Sequence, residues 1–420
     1  MTRDYVLSFI AEGLAVILAL TTYRIAAAQW DPDLFGEYAL SRKVVSAVLV
    51  IALVGADIAV VRFIAFDAAN DEARIAGYLS GAVTVVLATS TALAAGLVVL
   101  AGPLSQVVFG APGHEAAVMA FAAVSLGGAL YAVAYGYERA RLRLGRAAGL
   151  LVVNTGIIPL LAVFAFPASV ASSLAAMGAG WVLVAGLTLV AERRAAWARP
   201  EVTPMIRYGA PRALGLLVQM GLLAAPAIVA AHRFGLEEAG NVAFALLVLG
   251  LLSTLLTPIG VVLVPRSAEM FREGAGATLE RHVSRLLTVV VPLVAVFVLL
   301  VQFAADAIVA GFLGAAYAGA AATLRVLLWA AIPWTFFVAL RGLLDAHDVR
   351  PLNARNVVLA SIAYALLVTV ASSANAEEIA YHAAFVASVV ILGVLTLVEA
   401  RRVFASPPLA EPVVEDLLQP

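Results

Sequence analysis

The chain has 420 residues, of which 63% are hydrophobic and 13% charged, with a mean hydropathy of +1.02 and a net charge of −1. Soluble domains carry about 25% charged residues, so this chain is not one large soluble core. Near-neutral charge offers no basic surface for nucleic acid, and the absence of cysteine rules out disulfides, thiolate metal sites and a Cys nucleophile.

A helix needs about 20 mostly apolar residues to cross a bilayer. Twelve stretches qualify: roughly 6–28, 38–66, 75–101, 116–137, 147–166, 170–191, 208–231, 240–264, 286–312, 320–344, 352–371 and 379–398. The first has no small-residue cleavage site before the next charged loop and reads as a retained span. No connecting loop exceeds about 22 residues, which leaves little folded mass outside the bilayer. The Pro-rich, acidic segment 403–420 reads as a disordered tail.

Twelve spans place both termini on one side. Loops on that side read "ERARLRLGR" (138–146), "ERRAAWARPEVTPMIR" (192–207), "PRSAEMFREGAGATLERHVSR" (265–285) and "RGLLDAHDVRPLNAR" (341–355). Twenty of the 26 bases fall there, and the positive-inside rule makes that side cytoplasmic. Arg62 and Arg266, at the inner ends of spans two and eight, read as topology anchors whose stems snorkel to the headgroups.

A shift of 204 residues aligns Arg3 with Arg207, Gly36 with Gly240, Arg62 with Arg266, Gly110 with Gly314 and Arg146 with Arg350, all at span boundaries. An offset of six spans preserves orientation, so the expectation is an all-α membrane protein of two parallel six-helix repeats. The halves would be 1–195 and 208–402, joined by a cytoplasmic linker at 196–207.

Spans two, seven and eight carry a resemblance. "WDPDLFGEYALSRKVVSAVLVIALVGADIAVVRFIAF" (30–66) and "IRYGAPRALGLLVQMGLLAAPAIVAAHRFGLEEAGNVAFALLVLGLLSTLLTPIGVVLVPRSAEM" (206–270) resemble the starts of the two halves of the oligosaccharide flippase (polysaccharide transport) family. Its superfamily also holds multidrug and toxic-compound extrusion transporters and lipid II flippases. "GYERARLRLGRAAGLLVVNTG" (136–156) and "LRGLLDAHDVRPLNARNVVL" (340–359) look like the loops after spans four and ten. The likeness covers nearly the whole chain and rests on order and spacing rather than on one motif. Twelve spans depart from the fourteen of lipid II flippases.

Other chemistries lack their residues. The one lysine, Lys43, has no glycine loop before it, so no P-loop exists and the chain is not an ATPase. His114, His232, His282, His347 and His382 show no i, i+4 pair or other metal spacing. No cofactor is implied, and outer loops this short leave little room for a glycosyltransferase site.

An ionisable group inside the membrane costs about 2.5–3.5 kcal/mol and usually faces a cavity. The candidates are Glu12, Arg24, Arg42, Lys43, Asp57, Arg212, Asp306 and Arg325. Arg24, Arg42 and Lys43 lie within about two turns of the outer face, where snorkelling would equally account for them. Lys43 and Asp57, 14 residues apart, would share a face of span two to within about 40°. Arg212, Gln219 and Pro226 would form a polar stripe on span seven, and Arg325, Trp329 and Pro333 one on span ten. Trp329 and Trp334, near mid-span, suit either a sugar-stacking platform or helix packing.

The resemblance therefore implies a flippase in the bacterial inner membrane for a lipid-linked oligosaccharide, working by alternating access. Its anionic head would meet Arg24, Lys43, Arg212, Gln219, Arg325 and Trp329, while Pro226 and Pro258 let spans seven and eight bend. The rival within the superfamily is a cation-coupled multidrug exporter, for which Glu12 or Asp57 would carry the ion. A third reading is a non-transport scaffold in envelope polysaccharide assembly. The expected partners are the lipid-linked glycan and a glycan polymerase or chain-length regulator, with the chain itself a monomer and no nucleic acid involved.

Overall fold

Asp31 begins span two. Its Oδ1 accepts a hydrogen bond from the Leu34 amide at 2.9 Å, and Pro32 follows in the first helical position. A carboxylate cap followed by proline is a strong helix start. The computed structural model describes residues 2–66, 71–192, 199–272, 275–347 and 352–405. The side chains of Arg3, Pro258 and Arg266 lie outside that description, as do Arg350, residues 196–198 of the expected linker and 406–420 of the expected tail.

Every regular element among the described residues is a helix, with no strand. In order they form α1 (Thr2–Gln29), α2 (Pro32–Leu53), α3 (Ala56–Phe66), α4 (Glu72–Val99), α5 (Ala101–Phe109), α6 (Glu115–Ala140), α7 (Leu144–Leu151), α8 (Ile158–Ala165) and α9 (Val170–Ala191). Then come α10 (Val202–Phe234), α11 (Leu236–Arg272), α12 (Gly276–Phe312), α13 (Ala320–Leu327), α14 (Ala331–His347), α15 (Leu352–Ser373) and α16 (Glu378–Phe404). Eleven helices are long and apolar enough to cross a membrane, and the bent pair α2–α3 makes a twelfth. This agrees with the twelve expected spans.

Span two differs from expectation in its shape. Val54 (φ 48°) and Gly55 (φ 74°) are left-handed, and α2 and α3 meet at 52°. The break resets the helical phase, so the expected shared face of Lys43 and Asp57 does not exist. Asp57 instead sits in the first turn of α3, where its charge complements the positive end of the helix dipole. The same span starts earlier than expected, at Pro32. Arg42 and Lys43 are therefore about 15 Å along it, three turns in rather than two.

Gly55 is required at the bend on two counts: its positive φ, and the α10 backbone against it. A β-carbon on Gly55 would overlap Gly209, and one on Gly209 would lie 2.6 Å from the Val54 carbonyl oxygen. The break in span two thus rests on the start of span seven, just before Pro211.

Two other spans are interrupted. Between α7 and α8, Val152–Ile157 widens to a π-helical turn ahead of Pro159. Proline has no N–H for the carbonyl four residues back, and wide turns relieve such gaps. Trp181 of α9 donates its indole N–H to the Asn154 carbonyl at 2.6 Å and locks the turn. Between α13 and α14, Leu328–Ala330 tightens to a 3₁₀ turn. That removes the continuous register on which the Arg325–Trp329–Pro333 stripe depended.

The chain divides into two compact units: Met1–Ala243 with Ala310–Ala318, and Phe244–Val309 with Gly319–Pro420. The first is centred on residues such as Leu79, Val86, Val133 and Met205. Tyr317 ties the 310–318 segment to it, donating to the carbonyls of Ala27 (3.2 Å) and Trp30 (2.8 Å). The second is centred on Leu279, Val283, Leu340, Leu343 and Val403.

Candidate functional site

Arg42 stands in α2 among aromatic rings. Its guanidinium lies 6.0 Å from the Tyr38 ring, one helical turn back. Tyr38 in turn packs on Tyr23 at 5.7 Å and on Trp30 at 5.3 Å. The Arg42 Nη1 donates to the Met177 sulfur of α9 at 3.0 Å. A thioether is a weak acceptor. Lys43, half-buried beside it, has no acid partner among the described residues. Two adjacent cations therefore sit deep in a span with no carboxylate to balance them. The sequence left Arg42 open between a cavity-facing base and a snorkelling one. The Tyr38–Arg42 spacing of four residues was the available signal, since it stacks cation over ring on one helix face.

A second group lies on α1 and α6. Glu12 is exposed, about 15 Å along a helix some 42 Å long. Its charge reaches Tyr131 and Tyr135. Those rings are 5.8 Å apart, and the Arg139 guanidinium lies 5.5 Å from Tyr135. The Tyr135 ring thus already carries a cation, Arg139, while Glu12 brings the opposite charge from α1. Arg24 is also exposed on α1, nearer its other end.

Arg212 is exposed, but its guanidinium folds onto its own helix. It lies 3.8 Å from the Tyr208 ring and donates to the Tyr208 carbonyl at 2.9 Å. Tyr208 meets Phe63 at 5.5 Å, and Phe63 stacks on Tyr78 at 5.1 Å. The expected stripe does not form a uniform polar face. Arg212 is exposed, Gln219 half-buried and Pro226 buried, because a seven-residue spacing drifts by about 20° per repeat.

Arg325 differs from expectation more sharply. It forms an ion pair with Asp306, and its Nε donates to the Gln302 carbonyl at 3.2 Å. Gln302 returns a bond to the Arg325 carbonyl at 2.9 Å. The two residues expected to act separately neutralise each other across the α12–α13 turn. Trp329 is 44% exposed, whereas Trp334 is buried and donates to the Ser253 hydroxyl at 2.7 Å. Trp334 is thus a packing residue, and Trp329 is the one with a free face. Arg62 is half-buried in α3.

A further charge cluster, unforeseen in the sequence, joins α6, α7 and α9. Glu192 accepts from Arg143, from Arg146 at 3.2 Å and from the Tyr137 hydroxyl at 3.0 Å. Burial pushes the Glu192 carboxyl up, but the bonds from Arg143 and Tyr137 and the nearby positive charges outweigh it. The carboxyl is held below its ordinary value. Burial likewise opposes the charge on Arg143, and the Glu192 and Glu138 carboxylates more than restore it. Glu138 is fully buried, with Arg143 and Arg146 at 3.7 and 3.8 Å.

No protein-family model and no curated protein matches the sequence. Solved structures do. An inward-facing multidrug resistance transporter of the multidrug and toxic-compound extrusion (MATE) family, in the MOP superfamily, aligns with a TM-score of 0.78 at 13% identity, over 94% of this chain and 98% of that one. An outward-facing MATE transporter of the same superfamily gives 0.62 at 14% identity, over 96% of both chains. A eukaryotic MATE transporter gives 0.64 at 14%, over 96% of this chain and 99% of that one. The chain therefore has the fold of a MATE transporter over nearly its whole length, as the superfamily-level resemblance implied.

Proposed function

We propose that the chain is an alternating-access secondary transporter that exports amphipathic organic cations in exchange for an inward-moving cation. The observation that carries this is the fate of the bases assigned to an anionic head. Arg325 is neutralised by Asp306, and Arg212 is folded onto Tyr208. Glu12, by contrast, is an exposed acid whose charge acts on Tyr131 and Tyr135 of α6. A carboxylate inside a span attracts a cationic amphiphile or a coupling ion and repels a pyrophosphate. The fold supports the transport cycle, since MATE structures of this fold have been solved facing inward and outward.

In this reading both termini are cytoplasmic, and residues 1–195 and 208–402 are the repeats that rock. Gly110 and Gly314, related by the 204-residue offset, both adopt positive φ at helix ends, which supports that register. α10 already starts at Val202, inside the expected 196–207 linker, so a helix would carry the connection.

Glycan-lipid flipping remains the second reading because of Arg42 and Lys43. Two unbalanced cations deep in α2 suit an anionic ligand, and a purely structural scaffold would have no use for an unpaired Lys43.

The test is expression in a host stripped of its own exporters. Tolerance to a panel of lipophilic cations should rise, everted vesicles should take up a fluorescent cation, and Glu12→Gln should abolish both at unchanged abundance. No cation transport, together with restored glycan export in a flippase-deficient strain, would overturn the exporter reading for the flippase.

A further inference from the structure

A groove of about 260 Å³ opens at the start of α12, between it, the middle of α14 and the end of α16. Its floor is apolar, made by Leu287, Phe336, Leu397 and Phe404, which pack on the buried centre of the second unit. Its rim is polar, with Glu280 and Ser284 on α12 and Arg401 on α16. Both rim charges are exposed and neither has an ionic partner among the described residues. The neighbouring Glu399 pairs with Arg355 at 2.7 Å and Arg402 at 3.0 Å rather than with Arg401.

The face of α16 that leads to Arg401 is apolar and exposed. Val390, Val394 and Val398 of α16 are 43%, 54% and 40% exposed. Steps of four, four and three residues carry this stripe to Arg401 on one helix face. An apolar stripe that ends in an arginine at the mouth of a greasy groove matches an acyl chain and its phosphate. The acid on the opposite rim selects the headgroup. A phosphate alone would be repelled by Glu280, whereas an ammonium two or three bonds beyond the phosphate would be held by it.

We propose that this groove binds a phospholipid with an ammonium headgroup, of the phosphatidylethanolamine type. Arg401 holds its phosphate and Glu280 its ammonium, and one acyl chain lies along Val398, Val394 and Val390. The Arg-rich loops place the groove in the inner leaflet. The inference stands on the second unit alone and holds whatever the transported solute is.

The full-length protein, purified in mild detergent, would be titrated with phosphatidylethanolamine or phosphatidylglycerol. Retained lipid is read by native mass spectrometry and stabilisation by the melting temperature. The parent should retain the ethanolamine lipid in preference. Arg401→Gln should weaken retention about tenfold, the loss of one charge-assisted contact. Glu280→Gln should erase the preference between the two lipids without reducing total retention. Leu397→Trp, which fills the floor, should abolish retention while the helical fold is kept. Equal retention by the parent, Arg401→Gln and Leu397→Trp, or a parent preference for phosphatidylglycerol, would overturn the proposal.

Discussion

The α-carbon of Gly36 lies 2.8 Å from the point where Gly240 would carry a β-carbon. The two residues are 204 positions apart, the offset that aligns the landmarks of the two halves. A second pair with the same separation also touches: the Glu237 amide donates to Asp33 Oδ1 at 3.2 Å. Residues related by a repeat can meet their own counterparts only at the axis that relates the repeats. The starts of α2 and α11 meet at residues 204 apart, as the proposed two-repeat reading expects.

Gly240→Ala should be destabilising, because the new methyl meets backbone that no rotamer change can move. Overpacking of this kind costs about 1–3 kcal/mol. A melting curve should shift down, and abundance should fall several-fold. A variant that melts with the parent would show that the turns have room to part.

The Arg325–Asp306 pair yields a sharper test, because charge reversal separates pairing from ligand contact. Asp306→Asn should lower abundance about two- to fivefold by leaving Arg325 without its counter-charge. The exchange Asp306→Arg with Arg325→Asp should recover most of it. Failure of the exchange at normal fold would mean that Arg325 is needed in place, as a ligand for the transported solute.

Spans were legible because hydropathy integrates over about 20 residues and tolerates local error. The break at Val54–Gly55 was not, because both sides are equally apolar and a glycine within a span is common. It was the backbone of Gly209, 154 residues away, that made a left-handed Gly55 the fitting choice. The candidate site was legible by residue type and much less by partner. Glu12, Lys43 and Arg325 stood out as charges in apolar runs. Whether each is free depends on turns: the α12–α13 turn brings Asp306 to Arg325, and nothing brings an acid to Lys43 among the described residues. Depth also misled for Arg42, because the capped start at Asp31 precedes the first strongly apolar residue of span two by several positions.

The Glu192 cluster predicts a pH dependence outside the membrane. The carboxyl is depressed in the folded protein, so its contribution is present above the ordinary carboxylate value of about 4.3 and is lost as pH falls through the lower folded value. Between pH 7 and 5 the parent should melt above Glu192→Gln by a constant margin. As pH falls below the ordinary carboxylate value and through the lower folded one, the margin should close. A margin with no dependence on pH across that acid range would place the stabilisation in packing or neutral hydrogen bonding.

Arg42 sets the burial of a charge against the contacts that hold it. Placing the cation at this depth costs about 2.5–3.5 kcal/mol. A cation–π contact with Tyr38 returns about 0.5–2 kcal/mol, and the Met177 sulfur adds little. The empty protein should therefore be strained by roughly 0.5–3 kcal/mol at this residue. Arg42→Met, similar in length and suited to the same aromatic surroundings, should melt at or above the parent temperature. If the residue is kept for an anionic group on the solute, transport per molecule should fall by about tenfold or more, the worth of one charge-assisted contact to phosphate. Arg42→Lys should restore part of it, since a point charge keeps attraction but loses the bidentate geometry. The pattern would be a variant more stable than its parent and less active, which a structural arginine cannot give. A lower melting temperature with unchanged transport per molecule would identify Arg42 as a packing residue. The flippase reading would then have lost its strongest base, leaving Lys43 alone to answer for it.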